Sequence, residues 1–197
     1  MKIYVKFGLI IFVIVAISCG LLAYVNAKTY DLIMQNQIIA ENEARALVLP
    51  NAFRFQKIVS DTIIYYEGYD ASETLVGYAL IANQNGYSGE IQIMVGVNLN
   101  LKINKVVILT QTETPGLGSN CKKPEFLNQF VNISLQDLIL DKNGGKIISI
   151  TGATITSRAI VKSIKEKLDL LLMVLNPQDI NNFLELNLEI DLNEDRR

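Results

Sequence analysis

The stretch FGLIIFVIVAISCGLLAYV, residues 7–25, constrains this chain more than any other feature, because it contains no charged side chain. A helix needs about 20 apolar residues to cross the hydrocarbon core of a bilayer. The stretch therefore predicts one N-terminal transmembrane helix at 7–25, preceded by a short N-terminus at 1–6. Two other interpretations are a cleaved signal peptide and a lipoprotein signal ending at Cys19. We favour an anchor, because the stretch exceeds a usual signal-peptide core and AISC lacks the leucine that begins a lipobox.

The charges around this stretch predict its orientation. Lys2 and Lys6 precede it, whereas Lys28 follows it and is soon followed by acidic residues. Lys and Arg are enriched on the cytoplasmic side of membrane spans. We therefore expect a single-pass protein of the cytoplasmic membrane, with its N-terminus inside and the rest of the chain on the extracytoplasmic side.

The composition argues against several classes of function. The chain has 18 basic and 20 acidic residues, so its charge does not favour a nucleic-acid partner. It has no histidine, and its two cysteines, Cys19 and Cys121, lie far apart in the sequence. These facts argue against a histidine-ligated zinc or haem site, a Ser-His-Asp triad and an iron–sulphur cluster held within this chain. We expect no metal site, no intrachain disulfide and no catalytic residue.

Hydrophobic periodicity predicts an α+β domain with a mainly antiparallel sheet and packed helices after the anchor. Residues 26–49 suit a helical stalk that ends at Pro50, and residues 50–176 form the domain. Three stretches with strand character, separated by Gly and Asn turns, predict consecutive antiparallel strands. These strands are at 75–82, 90–97 and 105–111.

The second half of the domain is predicted to be richer in helix. KPEFLNQF, 123–130, suits a short helix, and KIISI, 146–150, is predicted to be a strand. After Ser157, apolar residues recur at helical spacing and predict a core-packing helix that ends before Pro177. Residues 177–197 form a C-terminal extension in which Leu and Ile alternate with polar residues. We expect this extension to dock on the domain or to extend its sheet as an edge strand; the alternative is that it adds as a strand to a partner subunit.

The stretch ITGATITS, 150–157, places four hydroxyl side chains around Gly152 and Ala153, where a strand meets a helix. The N-terminus of a helix offers unpaired N–H groups and a partial positive charge, so a phosphate would be favourable beside Thr154. The alternative is a plain helix cap formed by Thr156 or Ser157. A Ser or Thr nucleophile is disfavoured, because no histidine is present to act as its base.

The stretch TETPGLGSN, 112–120, is the second candidate for chemistry. Pro115 and Gly116 fit the central positions of a type II turn. Glycines at 116 and 118 permit a flat ligand to approach the backbone, and Leu117 could supply an apolar face. The alternative is an ordinary connection between a strand and a helix.

Taken in order, these stretches resemble the covalent-FMN proteins known as the G subunits of Rnf-type electron transport complexes. This resemblance covers the chain from about Ala44 to Leu175. The chain resembles the C subunits of sodium-translocating NADH:quinone reductases more distantly. The matching stretches are ALVLPNAFRF, LVGYALIA, GYSGEIQIMVGV, ETPGLG with KKPEFLNQF, and TGATITS. The family motif usually begins with an Asp six residues before the modified Thr. Here that position is Ile148, which cannot provide a carboxylate.

The resemblance implies an electron carrier with one covalent cofactor. FMN would be esterified through its phosphate to Thr154 by a separate flavin transferase that uses FAD. Around it, the resemblance places ring-flanking and phosphate-flanking residues: Glu113, Thr114, Leu117 and Gly118 at the ring, and Thr151, Gly152, Ala153, Thr156 and Ser157 at the phosphate. The implied partners are the other membrane, iron–sulphur and flavin subunits of an ion-translocating ferredoxin:NAD+ oxidoreductase. The alternatives are the C subunit of a Na+-translocating NADH:quinone reductase, a stand-alone extracellular flavin protein, or a membrane-anchored binding domain without redox function.

Overall fold

The N-terminal part of the protein is a single long helix. A computed structural model of the protein describes residues 2–176, which fall into two compact units that divide after Asn42. Helix α1, Lys2–Val48, covers the predicted span at 7–25 and nearly all of the predicted stalk. Every side chain from 7 to 25 is exposed, and by length and composition the helix is apolar enough to cross a membrane. These are the properties expected of an anchor.

The second unit contains a five-stranded antiparallel sheet in the order β1-β2-β3-β4-β5. The strands are β1 Arg54–Val59, β2 Ile64–Tyr69, β3 Leu75–Asn85, β4 Glu90–Asn98 and β5 Ile103–Thr110. The three strands predicted from periodicity correspond to β3, β4 and β5, which confirms both the strands and their antiparallel order. Strands β1 and β2 were not predicted. The α+β class is confirmed.

The last residues of α1, two further helices and a series of short turns complete the described part of this unit. Helix α2, Pro124–Leu127, is followed by a 3-10 turn at Asn128–Phe130, which confirms the predicted short helix at 123–130. Helix α3, Thr154–Leu175, is the predicted core-packing helix and ends just before Pro177, as predicted. The C-terminal extension at 177–197, with its predicted strand, lies outside the described residues.

The core is built on both faces of the sheet, and strand β4 shows why. Its side chains alternate, so Ile93 and Val95 join a large cluster that includes Ile160 and Ile164 of α3. Met94, on the opposite face, joins a smaller cluster with Ala44, Val48, Leu49 and Ala79. Burial on both faces fixes the register of the central strands, because a shift of one residue would exchange the two sets of side chains.

The predicted strand at 146–150 is wrong. Ile147 forms only an isolated bridge with Leu140, and the residues after it bond to side chains instead of to another strand. The Ile148 N–H donates to Gln129 Oε1 at 2.7 Å, and the Ser149 N–H donates to Asp141 Oδ1 at 3.0 Å. Side-chain acceptors thus satisfy these backbone groups and hold the segment as irregular structure leading into α3.

Candidate functional site

A cavity of about 540 Å³ opens where three loops meet the start of helix α3. Its volume lies within the range of about 300–1,000 Å³ that is typical of small-molecule sites. The lining residues come from the β3–β4 turn, the loop after β5, the 141–143 turn, the turn before α3 and the first turn of α3. They are Tyr87, Glu113, Thr114, Leu117, Gly118, Lys142, Gly152, Ala153, Thr154, Ile155 and Thr156.

Glu113 forms the floor of this cavity. Its side chain is only 5% exposed, and both carboxylate oxygens accept hydrogen bonds. Oε1 accepts from the backbone N–H groups of Tyr87 at 2.8 Å and Ser88 at 3.0 Å, and Oε2 accepts from Thr156 Oγ1 at 2.6 Å. A buried polar group is costly unless it is hydrogen-bonded, and these donors provide the bonds. Glu113 thereby ties the β3–β4 turn and helix α3 to its own loop.

The loop that carries Glu113 is shaped by glycine at two positions. Gly116 has a φ of 79°, and the Leu117 N–H donates to Thr114 O at 3.2 Å. This geometry matches the predicted type II turn. Gly118 packs against the floor: a Cβ at this position would lie 2.3 Å from Glu113 Oε2 and 2.8 Å from Thr156 Oγ1. Only a residue without a side chain leaves room for the bond between Thr156 and Glu113.

Helix α3 begins at Thr154, four residues before the predicted start at Arg158, with Ala153 as its N-cap and no side-chain cap. The interpretation of Thr156 or Ser157 as the cap is therefore wrong, because both hydroxyls have other partners. Thr156 bonds to Glu113, while Ser157 Oγ accepts from the Ile150 N–H at 2.9 Å and donates to Ala153 O at 3.0 Å. Ser157 closes the turn from within the helix, which leaves the start of α3 open towards the cavity.

Thr154 lies on the wall of the cavity at the start of α3 and is half-buried. Its hydroxyl oxygen accepts a hydrogen bond from Lys142 Nζ at 2.7 Å. Lys142 belongs to the short 3-10 turn Asp141–Asn143, which lies close to the turn before α3. A hydroxyl at the start of a helix and beside a lysine is in an electropositive environment, which favours an anion such as a phosphate.

Asp141 and Cys121, which lie in the segments around the cavity, have shifted pKa values. The backbone N–H of Ser149 holds the pKa of the Asp141 carboxyl below its usual value, so Asp141 is ionised beside Lys142 at neutral pH. Burial raises the pKa of the Cys121 thiol to about 11, so this fully buried cysteine stays protonated and unreactive. Cys121 and the exposed Cys19 are both free thiols.

The structure brings eight of the ten predicted site residues into one cavity. Those that line it are Glu113, Thr114, Leu117, Gly118, Gly152, Ala153, Thr154 and Thr156. Thr151 is exposed and does not line the cavity, and Ser157 is fully buried in the turn. Glu113 and Thr156, which are 43 residues apart in the chain, touch each other.

Comparison with known proteins identifies the family. Residues 86–169 match the FMN-binding domain. The G subunit of the ion-translocating oxidoreductase complex of Methanosarcina acetivorans is 34% identical over 166 residues, covering 80% of this chain and 88% of that protein. The chain belongs to the G-subunit family of ion-translocating oxidoreductase complexes. The predicted resemblance is thereby confirmed.

A second relative and a solved structure are consistent with this family and with its fold. The G subunit of the proton-translocating ferredoxin:NAD(+) oxidoreductase complex of Clostridium ljungdahlii is 33% identical over 156 residues, covering 78% of this chain and 83% of that one. Among solved structures, the C subunit of a Na(+)-translocating NADH-quinone reductase from Parabacteroides distasonis has a TM-score of 0.53 at 16% identity. That match covers 68% of this chain and 92% of the other, and it supports the fold alone.

Three lining residues of this G-subunit chain were missed from the sequence: Tyr87, Lys142 and Ile155. Tyr87 lies in GYSGEIQIMVGV, a stretch that carries the resemblance, so its place in that motif was the available signal. Lys142, in the turn sequence DKNGG, carried no signal, because nothing local relates it to Thr154. Ile148, where the family motif usually has Asp, is 64% exposed and does not line the cavity.

Proposed function

We propose that this protein is the membrane-anchored electron-carrier subunit of an Rnf-type ion-translocating ferredoxin:NAD+ oxidoreductase, and that Thr154 carries its FMN through a phosphoester. The observation that carries the proposal is the Thr154 hydroxyl, which faces a cavity of about 540 Å³ in a chain of the G-subunit family. On this proposal the protein is a redox subunit of a translocase, and it is not a complete enzyme alone.

One group of lining residues fits a phosphate. The first N–H groups of α3 lack a side-chain cap, and Lys142 Nζ lies 2.7 Å from the Thr154 oxygen. A phosphodiester at this position would be stabilised by the helix dipole and by the ammonium group. We assign the phosphate end to Gly152, Ala153 and Thr156 around Thr154. Ser157 contributes by holding the backbone of the turn, and exposed Thr151 flanks it.

A second group of lining residues fits a flat apolar ring. Leu117 is 45% exposed, Ile155 51% and Tyr87 72%, although all three line the cavity. Large apolar side chains exposed beside a cavity gain free energy when a ligand covers them. We assign the ring end to Leu117, Thr114 and Gly118, with Glu113 supporting the loop from below. When bound, the isoalloxazine ring supplies the electron chemistry, and the protein positions it.

The attachment chemistry requires a second protein. In the proposed step, Thr154 Oγ1 loses its proton and forms a bond to the flavin-side phosphorus of FAD. The anhydride bond between the two phosphorus atoms breaks, and AMP leaves with the bridging oxygen. A flavin transferase would bind FAD and accept the proton. Thr154 is reachable by such an enzyme because the cavity wall on which it lies opens to solvent.

We further propose that the domain acts on the extracytoplasmic side, among the other membrane, iron–sulphur and flavin subunits of the complex. Lys2 and Lys6 before the apolar stretch support an N-terminus in the cytoplasm. A reporter that is active only in the cytoplasm, fused after Lys28, is expected to be inactive. Activity of that reporter would reverse the orientation.

Measurement of the intact mass tests the attachment. We expect the full chain, co-expressed with a flavin transferase and purified in detergent, to gain one FMN. Thr154→Ala should abolish the gain, because it removes the only atom that forms the bond. Thr151→Ala is the matched control, since Thr151 is exposed and lies outside the cavity lining. Thr156→Ala should also retain flavin. Covalent flavin in Thr154→Ala would refute the assignment.

A further inference from the structure

Lys142 is the starting point of a further inference. Among the residues that line the cavity within the described chain, it is the only one with a cationic side chain. Its ammonium group forms no salt bridge within 4.0 Å in the contacts described for residues 2–176, although the neighbouring Asp141 carboxylate interacts with its charge. Its hydrogen bond goes to the Thr154 hydroxyl at 2.7 Å. A nearby surface lysine behaves differently, since Lys146 pairs with Asp137 at 3.0 Å.

The residue before Lys142 is bonded to the segment that leads into α3, and the residues after Lys142 fold back onto Leu140 and Asp141. The Asp141 N–H donates to Ile147 O at 2.8 Å, and Asp141 Oδ1 accepts from the Ser149 N–H at 3.0 Å. The Gly145 N–H donates to Leu140 O at 2.8 Å and closes the turn. Lys142 is therefore held beside the attachment turn by its own loop, although its side chain is exposed. Fixing the loop reduces the entropy lost when the lysine meets an anion.

We infer that Lys142 is the charge partner of the attachment oxygen. This inference rests on the proposed attachment of FMN to Thr154. Before attachment, the ammonium group orients the Thr154 hydroxyl and stabilises the negative charge that develops on Oγ1 as its proton leaves for the transferase. The new bond joins Oγ1 to phosphorus, while AMP departs from FAD. Afterwards, the same ammonium group pairs with the anionic oxygens of the phosphodiester.

The rate of covalent attachment tests the first half of the inference. Purified full chain without flavin would be mixed with flavin transferase and FAD, and covalent flavin would be followed by fluorescence after denaturation. We expect Lys142→Met to lower the initial rate about tenfold, because a charge-assisted hydrogen bond is lost. Lys142→Arg should stay within about threefold of wild type, since it keeps the charge. Lys146→Met is the matched control and should react at the wild-type rate.

Phosphorus-31 NMR tests the second half of the inference, the pairing of Lys142 with the phosphodiester. In flavin-loaded protein, we expect the phosphorus-31 chemical shift of the phosphodiester to change in Lys142→Met and to stay unchanged in Lys146→Met. Slowly loaded variants can be driven to completion with more transferase, so the measurement does not depend on the rate. Equal melting temperatures for the two variants would show that the fold is intact.

The outcomes separate this inference from the function on which it rests. If wild type acquires no covalent flavin, the proposed function fails, and the inference fails with it. If wild type is loaded but Lys142→Met is loaded at the same rate, or shows the same phosphorus shift, the role of Lys142 is overturned while the attachment stands. A slower Lys142→Met with rescue by Lys142→Arg supports a role that requires the charge.

Discussion

The floor of the cavity, formed by Glu113, and its rim, formed by Thr154 and Lys142, differ in burial and in hydrogen bonding. On the floor, Glu113 is 5% exposed and accepts three hydrogen bonds, and Gly118 packs against it. On the rim, Thr154 is half-buried and its hydroxyl contacts the exposed Lys142. A buried group with several partners stabilises the fold, whereas a hydroxyl that is proposed to react with a flavin transferase has to remain accessible. Stability and the proposed attachment therefore depend on different residues of one site.

Removing Glu113 should have the largest effect on stability. Glu113→Ala leaves the N–H groups of Tyr87 and Ser88 and the Thr156 hydroxyl without their acceptor in a buried place. We expect a loss of about 3 kcal/mol in the free energy of unfolding. Urea unfolding of the full chain in detergent, followed by the fluorescence of its tyrosines, measures this loss.

Glu113→Gln is the control for shape, because it keeps one carbonyl oxygen for the two backbone donors. It should lose clearly less stability than Glu113→Ala. If Glu113→Ala unfolds at the wild-type urea concentration, Glu113 does not hold the floor together, and the contrast with the rim fails.

A matched pair of threonine variants compares floor and rim directly. Thr156→Val removes the donor at 2.6 Å from Glu113 and should cost about 1 kcal/mol of stability. Thr154→Val removes a hydroxyl at a half-buried position and should change stability by less than about 0.5 kcal/mol. Flavin loading should show the reverse order, with loss only in Thr154→Val. The same loss of stability in both variants would contradict the division of roles.

The smallest expected effect concerns the loop behind the rim and depends on pH. The folded-state pKa of Asp141 is lowered, so its contribution to stability is present above the ordinary carboxyl pKa of 3.8 and is lost as pH falls through the folded-state value. We therefore expect wild type to be slightly more stable than Asp141→Asn at about pH 6, and the two to converge as pH is lowered below 3.8.

Urea midpoints of both proteins across this pH range measure the difference. Asp137, whose pKa is also lowered, is present in both and contributes equally. A stability difference that grows towards acid pH would mean that the Asp141 carboxylate does not stabilise the folded loop.

Strands β1 and β2 were not predicted, because their sequences lack the regular apolar pattern of a buried strand. Strand β1 lies at the edge of the sheet and is mostly exposed, so RFQKIV has no regular apolar alternation. Strand β2, IYYEGY, is interrupted by Glu67 and Gly68. The central strands β3 and β4 are buried over much of their length and were found. The opposite error was made at KIISI, which was predicted as a strand but is irregular. Its backbone N–H groups bond to the side chains of Gln129 and Asp141 instead of to a neighbouring strand.

Features that depend on neighbouring residues could be predicted from the sequence alone. These are the uncharged stretch of membrane length, the turn at Pro115 and Gly116, the amphipathic face of α3 and the position of Thr154 beside its start. Only the tertiary structure decided that Glu113 lies beneath Thr156, 43 residues away, and that Lys142 reaches Thr154 from a separate loop. Such contacts form when packing of a common core brings distant segments together. Local periodicity predicts helices and strands, but it does not predict which side chains from distant segments will be in contact.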